Sequence, residues 1–195
     1  MFSKLETLTV KLNIGVLEME STWKPSEEEK NAAWELYVEL VTRISFVELK
    51  PNEGLLREAL SSLYTLFSTT REVLKRYGPK VVRGSDDADM SVGLIAIAMI
   101  NIVVRPLLAK WHPLLLDYEG KKPQEITALE HEKDWEKNAE LREQLNQTRQ
   151  TLIQYTKVLA KIAKVPFFTL DSAKLPVSIQ KPTQLGEKFF IEALQ

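Results

Sequence analysis

Apolar and polar positions alternate near the start of the chain. Leu8, Val10, Leu12, Ile14 and Val16 are separated by Thr9, Lys11, Asn13 and Gly15. A period of two puts all five apolar residues on one face of an extended segment. This predicts a strand over residues 5–19 with an apolar face that needs cover. Trp23-Lys24-Pro25 breaks it.

The period then becomes helical. A first helix is predicted from Pro25-Ser26, with Glu27, Glu28 and Glu29 at its positive end. It carries one stripe of Trp34, Val38, Val41 and Ser45, and a second of Leu36, Leu40 and Val47. Pro51-Asn52 ends it. A second helix runs from about Glu53 to Tyr77. Leu56, Leu60, Leu63, Phe67, Thr70, Leu74 and Tyr77 keep the three-four spacing of a packed seam, and Gly78-Pro79 stops it. Asp89 is the expected cap of a third helix beginning near Met90.

The stretch from Met90 to Tyr118 is the most apolar in the chain. Val92 to Val104 is apolar except for Gly93 and Asn101, and the run stops at Arg105. A membrane-spanning helix needs about 20 predominantly apolar residues, so the run reads as a buried core helix. Pro106 and Pro113 each remove an amide donor and crowd an earlier carbonyl. The expectation is a helix kinked at both, or one that ends near Arg105 and restarts at Pro106.

Thr127 and Glu130 have capping-box spacing and mark the start of a fourth helix. Leu141, Leu145, Thr148, Leu152, Tyr155, Leu159 and Ile162 form its seam up to about Val165, before Pro166. About 38 residues would span about 57 Å at about 1.5 Å per residue. In the tail, Leu175, Val177 and Ile179 alternate as a candidate edge strand. Phe189, Phe190, Ile191 and Leu194 cluster near the end. The pattern divides the chain into an N-terminal strand extension (1–24), a helical bundle (25–165) and a C-terminal extension (166–195).

Composition narrows the function classes. The 26 basic and 27 acidic residues leave a net charge of -1, with no basic excess for general nucleic-acid binding. The absence of cysteine excludes disulfides, thiolate nucleophiles and Cys-ligated zinc. The N-terminus alternates and lacks the continuous apolar core of a signal peptide, so a cytoplasmic location is expected.

The candidate chemistry is sparse. His112 lies in Lys110-Trp111-His112-Pro113, and His131 shares a helix face with Trp135. Together with Asp117, Glu130 and Glu132 they would supply metal ligands or acid–base groups. The alternative is that His112 bonds across a kink and His131 sits beside a tryptophan. No HExxH spacing, phosphate-cradling glycine loop or nucleophile elbow is present. Ser85 to Asp89 lacks the glycine and glutamate of an EF-hand loop. Lys75, Arg76, Lys80 and Arg83 gather near a helix end, where cations are favoured without a ligand. Arg105, four residues from Asn101, reads as a buried arginine needing a counter-charge, or as part of an anion pocket.

Arg105-Pro106, Lys110-Trp111-His112-Pro113, Pro123, His131-Glu132, Trp135 and Leu141-Arg142 together resemble a pattern in uncharacterised bacterial helical proteins. The resemblance covers residues 100–145. It implies a bacterial origin and carries no activity with it.

The expectation from sequence is therefore a mostly α-helical domain, an antiparallel four-helix bundle with strand-like extensions. The expected role is a non-enzymatic interaction or adaptor protein that self-associates, with a protein partner, a homodimeric state, no membrane span, no metal and no cofactor. Candidate binding residues are Arg83, Arg105, Trp111, His112, His131 and Trp135. The alternatives are a sensor of a small anionic or nucleotide-like ligand and a metal-dependent hydrolase. Trp111 and Trp135 are predicted to pack at one end of the fold.

Overall fold

In the computed structural model, which describes residues 7–14, 17–50, 53–83 and 90–168, the chain is mostly helical with one small two-stranded sheet. The predicted single strand is two strands, β1 (Leu8–Ile14) and β2 (Leu17–Trp23), paired antiparallel with Leu8 opposite Trp23 and Ile14 opposite Leu17. The partner needed by the alternating segment is thus the stretch that follows it. Thr9 and Thr22 share a 2.8 Å hydroxyl contact across the pair, and Lys161 donates to the carbonyl of Thr9. The candidate strand at Leu175–Ile179 lies outside the described residues.

Helix α1 (Glu27–Val41) begins as its sequence demands. Ser26 and Glu29 close a capping box. Its apolar face is Ala32, Ala33, Leu36, Tyr37 and Leu40, all buried. The two expected stripes were too wide: Trp34 and Val47 are about half exposed, at 47% and 51%. The helix also stops ten residues before Pro51. Thr42 turns its hydroxyl onto the carbonyl of Val38, and a short 3-10 turn, Ile44–Phe46, follows.

Helix α2 (Leu56–Tyr77) buries Leu56, Leu60, Leu63 and Thr70 and half-buries Phe67, Leu74 and Tyr77, as the seam predicted. Gly78 ends it, at φ 66° and ψ -159°, a positive-φ backbone that glycine alone adopts readily. One short turn, α3 (Lys80–Arg83), precedes the apolar stretch.

Ser91, not Asp89, caps α4 (Val92–Ala98): its hydroxyl accepts the N–H of Leu94. Asp89 lies outside the described residues. The helix then neither kinks to a stop nor restarts. It widens into a π turn, Met99–Val104, and continues as α5 (Arg105–Glu119). Arg105 bonds back to the carbonyl of Ile100, five residues earlier. One extra residue in the turn directly before Pro106 absorbs the missing donor and the crowded carbonyl. Pro113 sits exposed inside α5 without ending it. The apolar run stops at Arg105, but the helix continues through it to Glu119. Val92–Glu119 is long and apolar enough by length and composition, with a mean hydropathy of 2.2 over its most apolar stretch. Half of that stretch is buried in the fold, as in a core helix.

The predicted fourth helix is two. Thr127 and Glu130 form the expected capping box at the head of α6 (Ala128–Lys133). The chain then turns at Asp134–Lys137 and restarts as α7 (Asn138–Ala163). Two interactions hold the turn: Trp135 is buried, and the Asn138 amide donates to the carbonyl of Glu132 at 2.6 Å. The 26 residues of α7 span about 39 Å, well short of the expected length. All seven seam residues from Leu141 to Ile162 are buried. Lys164, at φ 57°, ends α7, and the N–H of Val165 bonds back to Ala160. Tyr37 then fixes the segment that leaves α7, donating to the carbonyl of Pro166 and accepting from the N–H of Phe168.

Two buried carboxylates organise the helix ends. Glu29 closes its own capping box, accepts the Trp23 indole N–H and accepts the N–H of Val92 at the head of α4. Glu132 does the same for α2, as described next.

Candidate functional site

Of the side chains singled out from the sequence, Arg105, Trp111 and His112 lie on α5, His131 on α6, and Trp135 in the turn that follows it, with α2 as a second wall. Trp111 and Trp135 meet edge to face, with ring centroids 6.0 Å apart. The Trp111 indole donates to Gln144 at 2.7 Å, and Lys110 lies over its ring while pairing with Glu140. Tyr118 stacks on both Trp135, at 5.4 Å, and His131, at 4.1 Å and 7°. His131 and Tyr118 are also tied twice through backbone. His131 Nε2–H donates to the carbonyl of Tyr118, and the Tyr118 hydroxyl donates to the carbonyl of His131. Burial raises the Tyr118 phenol, with a smaller contribution from Asp134. Trp111, Trp135 and His131 are all buried, so this cluster is a clamp between helices.

His112 points elsewhere. Its ring lies 5.9 Å from Tyr64, and its Nε2 accepts from Arg57 at 3.3 Å. Arg57 makes a two-pronged pair with Glu119, at 2.9 and 2.6 Å. The Arg57 backbone and that of Leu56 donate to Glu132 at 3.3 and 2.8 Å. This carboxylate supplies the cap that Leu55, at the N-cap position, has no side-chain oxygen to provide. Burial holds it above the ordinary carboxylate range, opposed by those two amide hydrogen bonds. Arg142, whose charge favours the ionised Glu132, is itself held below the usual arginine range by burial.

The metal-ligand set considered from sequence is therefore dispersed. Asp117 pairs with Lys121, the Glu130 carboxylate accepts the N–H of Thr127 in the α6 capping box, and Glu132 caps α2. Among the described residues, no group of three or more His, Asp or Glu side chains is placed to hold a metal ion.

The cations of the expected helix-end cluster also separate. Arg76 pairs with Glu35, and Lys80 pairs with Glu28 at 2.7 Å. Arg83 closes α3, and its side chain lies outside the described residues. Arg105 is exposed rather than buried. Its guanidinium lies 5.1 Å over the Phe67 ring and donates to Asn101 at 2.9 Å. An exposed guanidinium over an aromatic face needs no carboxylate, which removes the reason to expect one.

A groove runs between α2 and the Val92–Glu119 helix. One depression of about 410 Å³ is walled by Tyr64, Phe67, Ser68, Arg71, Arg105, Leu108, Ala109 and His112. A second, of about 320 Å³, is walled by Phe67, Thr70, Arg71, Leu74, Lys75, Ile97, Ile100, Asn101 and Arg105. They share Phe67, Arg71 and Arg105. Among the described residues, Arg71, Lys75 and Arg105 form no ion pair. Sequence reasoning found Arg105 and His112 but missed Arg57, Tyr64, Arg71 and Glu119. A signal for the α2 wall was present: Tyr64, Ser68, Arg71 and Lys75 recur at three-four spacing beside the apolar seam.

Comparison with known proteins matches the chain to no family model, no curated protein and no solved structure.

Proposed function

We propose that this chain is a non-enzymatic interaction protein that self-associates through the exposed side of the Val92–Glu119 helix. We read α1, α2, that helix and α7 as an antiparallel four-helix arrangement that presents this side outward. The observation that carries the reading is the exposure of Leu94, Ile102 and Leu116 along one helix, beside Ile97, which also walls the groove toward α2. Scattered single apolar residues need no explanation, but a row of them on one element marks a contact surface. The occupant favoured is a second copy. No charged residue lies between Val92 and Val104. Two such helices brought together by a two-fold axis therefore meet no like-charge repulsion over that length. A bacterial, cytoplasmic setting belongs to the same reading and rests on the sequence pattern alone.

The natural chain has no cysteine, so a single Ile102→Cys substitution gives one addressable thiol. A short bifunctional maleimide is expected to link two copies at this position and not at Lys122→Cys, a position outside the proposed contact. Equal linking at both, or none at Ile102→Cys, contradicts the reading. A bilayer could cover the same apolar row. Flotation of the chain with phosphatidylcholine vesicles, together with a monomeric mass in their absence, would replace the self-association reading with a membrane one.

A further inference from the structure

We propose that the groove between α2 and the Val92–Glu119 helix receives an amphipathic helix of a protein partner, with acidic residues at its centre and one apolar anchor on each side. The inference rests on reading the chain as an interaction protein and adds a partner to it.

The lining dictates this pattern. Arg71 from α2 and Arg105 from α5 belong to both depressions, so they occupy the waist of the groove. Neither has a carboxylate partner among the described residues, and Lys75 adds a third unpaired cation on the same α2 stripe. A guanidinium pair across a groove is suited to a carboxylate, which it can hold with directed hydrogen bonds. Each end has apolar walls: Tyr64 and Leu108 in one, beside His112, and Leu74, Ile97 and Ile100 in the other, beside Lys75 and Asn101. On the α4–α5 side the first depression covers Arg105 to His112 and the second Ile97 to Arg105. Their centres are about seven residues, or about 10 Å, apart along the helix. That is the separation of positions i and i+7 on a docked helix, with i+3 and i+4 falling between them on the same face.

The carboxylates of α2 and α1 do not compete for this waist. Glu35, Glu39 and Glu72 line a separate depression with Arg76 on the other side of α2. The positive charge of the groove is therefore left for a ligand.

The test uses the full chain and a fluorescein-labelled, alanine-based helical peptide of about 18 residues, long enough to populate helix in water. It carries two leucines seven residues apart and two glutamates midway between them. A second peptide has lysines in place of the glutamates. Fluorescence anisotropy is expected to show the glutamate peptide binding at least about tenfold more tightly than the lysine peptide. The doubly reversed variant, Arg71→Glu with Arg105→Glu, is expected to prefer the lysine peptide. That reversal cannot come from an unfolded chain. Equal binding of the two peptides to the natural chain, or a preference that survives the double reversal, overturns the proposal. So does binding of dodecanoate that depends on Arg71 and Arg105 while neither peptide binds, which would make the occupant a small amphipathic anion. The mass of the chain without peptide is measured separately. It reports on self-association, so either reading can fail without the other.

Discussion

The carboxylate of Glu132 on α6 accepts the backbone N–H of Leu56, the first residue of α2, at 2.8 Å. A helix head whose own N-cap is a leucine is thus closed by a side chain from a distant part of the chain. Glu29 plays the matching part for α4 by accepting the N–H of Val92 at 3.2 Å. Both carboxylates are buried, so each couples the placing of one helix to the placing of another.

This coupling has a pH signature. Burial raises the carboxyl of Glu132 above the ordinary carboxylate range, so the folded protein binds that proton more tightly than the unfolded chain does. Its contribution to stability therefore increases as pH falls from the raised folded value to the ordinary carboxylate value. Glu132→Gln has no proton to titrate there. The stability of the natural chain relative to Glu132→Gln should rise as pH is lowered through that window. Urea unfolding at a series of pH values checks it, and a constant difference contradicts it. Glu132→Ala leaves two donors without their acceptor and should cost about 1–3 kcal/mol at neutral pH.

Tyr155 offers a gain in stability. Its ring is fully buried and, among the described residues, its hydroxyl has no hydrogen-bond partner. Burial pushes the phenol up to about 12. An unpaired buried hydroxyl costs more than it returns. Tyr155→Phe should raise stability by about 1 kcal/mol in urea unfolding. A loss of similar size would show that the hydroxyl has a partner.

Gly93 is fixed by contact. A methyl group there would lie 2.7 Å from the carbonyl oxygen of Val81 and 2.7 Å from a methyl of Val82. Because α3 presses its backbone against α4 at this point, Gly93→Ala should cost about 1–3 kcal/mol as an overpacked site. Gly120→Ala is the control. It has helical backbone angles, and the nearest atoms to an added methyl are 3.6 Å away. It should be neutral, or stabilise by up to about 1 kcal/mol.

The two histidines should separate by role. His131 is buried, stacked on Tyr118 and bonded to its carbonyl. His131→Ala should cost about 1–3 kcal/mol. His112 is half-buried beside exposed Tyr64 and, among the described residues, its ring bonds to Arg57 alone. His112→Ala should cost less than about 1 kcal/mol, the range of a partly exposed contact. Thermal unfolding of the two variants side by side checks the order, and the reverse order would contradict the clamp assigned to His131.

Much of the fold was legible wherever a local rule decided the outcome. Ser26 with Glu29 and Thr127 with Glu130 announce helix starts through their own side chains. The α7 seam follows three-four spacing, and Gly78 ends α2 as a glycine should. The packing of Trp111 against Trp135 also followed, because both lie on segments joined by one short reversal. What failed depended on distant partners. The periodicity runs straight through Asp134–Lys137, and the helix breaks there where Trp135 is buried and the Asn138 amide bonds to Glu132. The π turn at Met99–Val104 leaves no composition mark apart from the proline it accommodates. The cap of α2 comes from Glu132, far away in sequence, so no local motif could name it. The candidate surface was half visible. Arg105 and His112 stand out on an apolar helix, whereas Arg71 and Tyr64 acquire meaning only when α2 is placed against α5.

The central claim is that the outer side of the Val92–Glu119 helix joins two copies of the chain. Sedimentation equilibrium over a wide range of concentration tests it most directly, comparing the natural chain with a Leu94→Glu, Ile102→Glu double variant. The account predicts that the natural chain approaches twice its 22.3 kDa mass as concentration rises, while the folded double variant stays at 22.3 kDa throughout. A natural chain that remains at 22.3 kDa at every concentration, or a folded double variant that still associates, would contradict it.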